Sequence, residues 1–131
     1  MKLLSATLAC AAGLLVATHG HAAEVKPLMT KELPQFPGQE ATMLEVRYLP
    51  GDKDVAHRHD AHAFVYVLEG SIIMQLKGHQ PVTLKAGDTF YEGTDDVHVV
   101  GRNASASAPA RFVVVLLKKK GAPVLTPVEA H

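Results

Sequence analysis

From residue 42 onward, apolar and polar positions alternate over short stretches that end at turn residues. Residues 42–49 place Leu44, Val46 and Tyr48 on one face and Glu45 and Arg47 on the other, then stop at Pro50-Gly51. Alternation with a period of two is the mark of a strand with one buried face. Residues 63–68 are β-branched and aromatic and close at Glu69-Gly70. Residues 71–77 resume after that tight turn, which predicts a hairpin. Further strands are expected at 80–84, 89–92, 97–101 and 111–117, with Gly78, Gly87 and Gly93 as punctuation. No segment beyond the N-terminal apolar run carries a capped apolar stripe of helical period. Many short strands imply an all-β sandwich or small barrel, because closing a sheet removes its exposed edges. Residues 24–41, with Pro27, Pro34, Pro37 and Gly38, read as an extended N-terminal arm. Residues 103–110 are small and read as a connecting loop.

The first residues follow another rule. Lys2 precedes an apolar run over 3–16, and small residues lead through Ala22 and Ala23 to Glu24. That order is a secretory signal peptide over residues 1–23, cleaved after Ala22 or Ala23. A bacterial periplasmic or secreted domain is then expected, with its core at 42–131. The apolar run falls short of the roughly 20 residues a membrane-spanning helix requires, so no stable membrane span is expected. The chain of 131 residues is enough for one domain. Cys10 is the only cysteine and would leave with the leader, which excludes thiolate chemistry from the mature domain. Basic and acidic residues balance at 13 each, and the one basic run is Lys118-Lys119-Lys120. Nothing in that balance suggests a nucleic-acid partner.

The chemistry rests on histidine. His57 and His59 stand two apart after Pro50-Gly51, so a strand would aim both imidazoles the same way. His98 lies far downstream and could arrive on another strand. Three imidazoles hold a divalent transition metal while leaving positions open; Fe(II), Mn(II), Ni(II), Cu(II) and Zn(II) all suit such a set. A single His-x-His pair also arises by chance on surface strands, so the third histidine carries the argument.

Gly51-(x5)-His57-x-His59-(x3)-Ala63-(x6)-Gly70 resembles the first cupin motif: Gly, five residues, His-x-His, three or four residues, Glu, six residues, Gly. Gly87-Asp88-Thr-Phe-Tyr-Glu-Gly-Thr-Asp-Asp-Val-His98 resembles the second, and residues 64–70 are similar to those of small single-domain cupins. The resemblance spans about residues 42–117. It implies a jelly-roll β-barrel, the cupin double-stranded β-helix, with a metal held inside by His57, His59 and His98. Similarity to quercetin-dioxygenase-like cupins implies an Fe(II)-dependent dioxygenase acting on a small organic molecule. It also implies a homodimer, paired through strand edges or a swapped arm. Isomerase or lyase chemistry and a non-catalytic binding barrel stay open.

The departures from the motif are specific. The family's Glu ligand falls at position 63, where this chain has Ala63. The usual Pro of the second motif is replaced by Gly93 and Thr94, and Asn103 follows His98 by five residues instead of four. His62 could replace the missing ligand only if a bulge turned it inward, since alternation sends it to the opposite face. Glu92 could serve as ligand or as acid/base group, unless it is an ordinary polar strand end. Water could also fill the position. Val65, Val67 and Ile73 are expected to wall the barrel, Phe64 and Tyr66 to lie in the core or at an interface, and Arg58 to form an ion pair. Asp95 and Asp96 read as a turn; His79 and His131 are assigned no role.

Overall fold

The structure, a computed structural model, describes residues 21–129. The leader with Cys10, up to residue 20, and His131 lie outside the described residues. Ten strands follow in chain order: β1 (Glu24–Glu32), β2 (Gln39–Tyr48), β3 (His57–Arg58), β4 (Ala61–Glu69), β5 (Ser71–Leu76), β6 (Val82–Lys85), β7 (Thr89–Glu92), β8 (His98–Asn103), β9 (Ala110–Lys119) and β10 (Thr126–Pro127). There is no helix among the described residues, none that could cross a membrane included. Every pairing is antiparallel, in two five-stranded sheets ordered β1-β2-β9-β4-β7 and β10-β3-β8-β5-β6. The expected jelly-roll fold is present, with two facing sheets that do not close into one hydrogen-bonded barrel.

Alternation builds the core between them. Along β4 the inward residues Ala61, Ala63, Val65 and Val67 are buried while their neighbours are exposed. β2 and β9 add Leu44, Val46, Phe112, Val114 and Leu116; the second sheet answers with Ile72, Met74 and Leu84. Burial of each such Val, Leu or Phe contributes roughly 1.5–3 kcal/mol. Val65 and Val67 wall the core as expected, but the second-sheet wall is Ile72 and Met74, one register position away from Ile73. Gly70 closes the β4–β5 hairpin at φ 74°, and a Cβ there would stand 2.4 Å from the carbonyl oxygen of Pro109.

The arm is a strand. β1 pairs with β2 from Glu24↔Arg47 to Glu32↔Glu40, with a bulge between Pro27 and Met29, and β2 begins at Gln39. As an edge strand β1 accommodates Pro27, which has no N–H for the ladder. All nine of its residues are exposed, so no alternation betrayed it. Phe64 and Tyr66 are also displaced from the core: both are about half exposed on the outer face of β4.

Candidate metal centre

β3 and β8 bring two of the histidines together. They pair through a single register position, His57↔His98. His57 is buried, Arg58 turns outward to Asp60 at 3.0 Å, and His59 turns back in. Asp60 takes a left-handed backbone (φ 49°), yet alternation continues past it, with Ala61 and Ala63 both buried. The ring centroid of His57 lies 4.8 Å from that of His59 and 4.9 Å from that of His98.

A carboxylate joins them from β7. Glu92 is buried, with Oε2 3.2 Å from His59 Nε2 and Oε1 3.2 Å from His98 Nδ1. Its register partner across β4–β7 is Ala63. Directly opposed residues of an antiparallel pair share a face, with Cβ atoms about 5 Å apart. A carboxylate therefore stands one strand over from position 63, on the same face as the small side chain of Ala63. One ligand atom each from His57, His59 and Glu92 lie within 4.8 Å of one another.

His62 is not part of this cluster. Despite the break at His59 and Asp60, it stays exposed on the outer face of β4, where Nδ1 meets the Tyr91 hydroxyl at 2.6 Å and the two rings stack. Asp96 forms the expected turn, its Oδ2 accepting from Gly93 N at 2.6 Å.

Two interactions orient the histidines. His57 Nδ1 lies 2.8 Å from the Val55 carbonyl oxygen, and His59 Nδ1 lies 2.7 Å from that of Val124. A carbonyl can only accept, so each ring carries its proton on Nδ1 and directs Nε2 toward the cluster. His98 lacks such a partner. Its Nδ1 stands near Glu92 without the alignment of a hydrogen bond, and both ring nitrogens are buried and unpartnered. A buried unpaired polar atom costs about 1–3 kcal/mol, a cost that ligation of a cation would remove. The donor set of His57, His59 and Glu92 fits a divalent transition metal, and His98, outside that 4.8 Å group, brings its unpartnered nitrogens alongside.

Electrostatics favour ligation at His98 and Glu92 and oppose it at His59. Burial lowers the pKa of His98, outweighing the Glu92 carboxylate, which favours the neutral ring a metal requires. Burial pushes His59 the same way, but the hydrogen bond and charge of Glu92, with the Val124 carbonyl, carry it above the ordinary imidazole value. Glu92 moves opposite to its burial: the hydrogen bond to His59 and the neighbouring imidazoles hold it below the usual carboxylate range.

The cluster heads an apolar cavity of about 60 Å³ lined by Leu44, Val46, Val65, Met74, Phe112 and Val114, with Ala23, Val25, Val124 and Leu125 among the other walls. Asp54 also lines it and accepts a short hydrogen bond from the fully buried Tyr48 hydroxyl. Burial, then the Asp54 charge, pushes the Tyr48 hydroxyl far above its ordinary value, so it stays protonated and donates. Sequence reading missed this pair; the one available signal was Asp54 three residues before His57. Gly101 is the contact point, since a Cβ there would stand 2.9 Å from His98 Cε1 and 3.1 Å from both Asp54 Oδ2 and the Tyr48 hydroxyl. Asn103 is structural: its Nδ2 donates to Ala108 O at 2.8 Å and to Leu49 O at 3.2 Å.

The family model described as cupin domain matches residues 44–116. The chain belongs to the cupin family. No curated protein matches its sequence. Among solved cupin-fold structures, a conserved double-stranded β-helix protein from Klebsiella pneumoniae is similar at 17% identity and TM-score 0.67, over 88% of this chain and 91% of that one. DMSP lyase DddQ from Ruegeria pomeroyi is similar at 20% identity and TM-score 0.58, over 66% of this chain. An oxalate oxidase in complex with the substrate analogue glycolate is similar at 21% identity and TM-score 0.62, over 81% of this chain. This cupin spans only 42% of the lyase chain and 55% of the oxidase chain. At such identities the likeness extends to the fold alone.

Proposed function

We propose that this cupin is an exported mononuclear metalloenzyme of dioxygenase type, acting on a small uncharged organic molecule. The carrying observation is the convergence of His57, His59, His98 and Glu92 at the head of an apolar cavity. His57, His59, His98 and Glu92 would hold a divalent ion, with Fe(II) the first choice, and such an ion would supply the redox chemistry that dioxygen requires. The chain's own residues do the rest. The three imidazoles and Glu92 would hold the ion, the wall from Leu44 to Val114 excludes bulk water, and Asp54, hydrogen-bonded to the Tyr48 hydroxyl, is the further carboxylate in the cavity wall.

Charge narrows the substrate. No Lys or Arg lines the cavity, whereas Asp54 and Glu92 both do. An anionic substrate would find no basic partner beyond the metal, so a neutral enol, phenol or diketone suits the cavity better than a dicarboxylate. The test is oxygen uptake by iron-loaded protein across matched neutral and anionic panels. Turnover with neutral members, lost in His98→Ala, is expected; stoichiometric iron with no uptake from any member would overturn the reading. The small cavity favours a second reading, a barrel that holds metal without turnover, and that result would select it.

Assembly belongs to the same proposal. The outer face of β2, β9, β4 and β7 exposes Phe64, Tyr66, Leu68 and Tyr91 beside Met43, Val113 and Val115. Such a contiguous apolar patch is the surface a second copy would cover. Sedimentation should give a dimer that Tyr66→Glu dissociates.

A further inference from the structure

The segment after β9 is fastened at both ends. At its start, the buried Lys118 donates from Nζ to Glu40 Oε1 at 2.5 Å and to the Ala122 carbonyl oxygen at 2.8 Å. Gly121 N donates to the same Glu40 oxygen at 3.1 Å. At its end, Thr126 and Pro127 pair with Arg58 and His57, and Val128 N donates to the Ala56 carbonyl at 3.0 Å. Between these fastenings the Val124 carbonyl meets His59 Nδ1, and Val124 and Leu125 line the cavity.

We infer that residues 121–128 are a working part of the metal centre, with Val124 a positioning residue that acts through His59. The inference rests on the metal-binding reading above. A histidine that ligates through Nε2 must keep its proton on Nδ1, and a carbonyl fixed opposite Nδ1 selects both that tautomer and the ring rotation. Val124 lies 65 residues from His59 in sequence, so its carbonyl reaches the ring only because both ends of the segment are held. The buried Glu40–Lys118 pair thereby gains a role beyond local structure: it sets where the segment leaves β9. His57 donates its equivalent hydrogen bond to the carbonyl of Val55, two residues away, while the end of the segment holds its backbone through the Pro127 pairing. The two rings of the His-x-His pair are thus oriented by different carbonyls, one local and one remote.

The experiment compares the full-length protein with Val128→Pro, which removes the donor to Ala56, and with a chain ending at Ala122. Lys120→Ala serves as control, because it removes the exposed ion pair with Glu32 and a weaker charge attraction to Glu40 while leaving every hydrogen bond of the segment in place. Zn(II) affinity is read by chelator competition, the Co(II) absorption spectrum reports the ligand field, and circular dichroism of the metal-free proteins reports folding. Loss of a partner behind a ligand typically weakens metal binding 10–100-fold. The shortened chain is expected to lose about that much with an altered Co(II) spectrum, Val128→Pro to lose less, and Lys120→Ala to match the parent. If Val128→Pro and the shortened chain stay folded and bind Zn(II) as tightly as the full-length protein, the inference is wrong although the metal site stands. If the shortened chain fails to fold, Val128→Pro decides alone. If the full-length protein itself binds no metal, the metal-binding reading fails first and takes the inference with it.

Discussion

Two faces of the same pair of strands do opposite things. On the inner face of β4 and β7, Ala63 and Glu92 oppose one another, and Glu92 lines an apolar cavity with three histidines. On the outer face, one residue away, His62 stacks on Tyr91 and Phe64 packs against the same ring at a centroid distance of 5.3 Å. The outer face holds an imidazole, a phenol and aromatic bulk, an apparently richer set for chemistry. It lacks convergence and burial. A side chain joins the buried cluster here through the parity of its position on the strand.

The sharpest way to break that contrast is to move the carboxylate. Glu92→Ala should weaken Zn(II) binding by about 100-fold or more, beyond the loss expected for an outer partner. Adding Ala63→Glu to that variant should restore much of the affinity, because the replacement faces the vacated space from the opposed strand position. Ala63→Glu alone should be destabilised by about 1–3 kcal/mol through overpacking, with like charges adding to it. Calorimetric titration of the three variants closes the cycle. No recovery in the double variant would show that position 63 does not face the metal.

Gly101 tests the inner face from another side. Gly101→Ala must displace the His98 ring, the Asp54 carboxylate or the Tyr48 hydroxyl. Zn(II) affinity should fall roughly 10-fold, as for other losses of ligand support. Parent-like affinity would mean that His98 has freedom to move away from its observed place.

Acidification should separate the ligands. Metal-free His59 has a raised pKa, and its Nε2 must lose a proton before it can ligate. Apparent affinity therefore falls as pH drops below that raised value, by about tenfold per pH unit for one displaced proton, and levels off above it. His98, lowered by burial, is already neutral over that range and adds no step of its own there. Chelator competition across the pH range reads the slope; a flat profile would remove the proton from His59.

The smallest expected effect is the control for the outer face. His62→Ala should leave Zn(II) affinity within about twofold and stability within roughly 0.5 kcal/mol, the usual range for surface substitutions. A loss comparable to that of Glu92→Ala would return His62 to the ligand set.

Much of this was legible before any coordinates. Alternation in 42–49 marked the inner face of β2, the β-branched and aromatic run at 63–68 located β4, and the His57–His59 spacing with His98 located the cluster. Other features could not be read. β1 is exposed along its whole length, so its pairing left no apolar pattern. β10 has two residues, too few for any period. That Glu92 faces Ala63 is a matter of register between strands about thirty residues apart, and sequence records no register. Tyr48 and Asp54 meet because a turn folds back on itself, a geometry that spacing alone does not reveal.

The central claim is best tested by X-ray absorption at the edge of a metal bound in stoichiometric amount. The account predicts imidazole scattering from three histidines and one carboxylate oxygen, with the carboxylate component lost in Glu92→Ala. A stoichiometric metal whose spectrum lacks histidine scattering would contradict it.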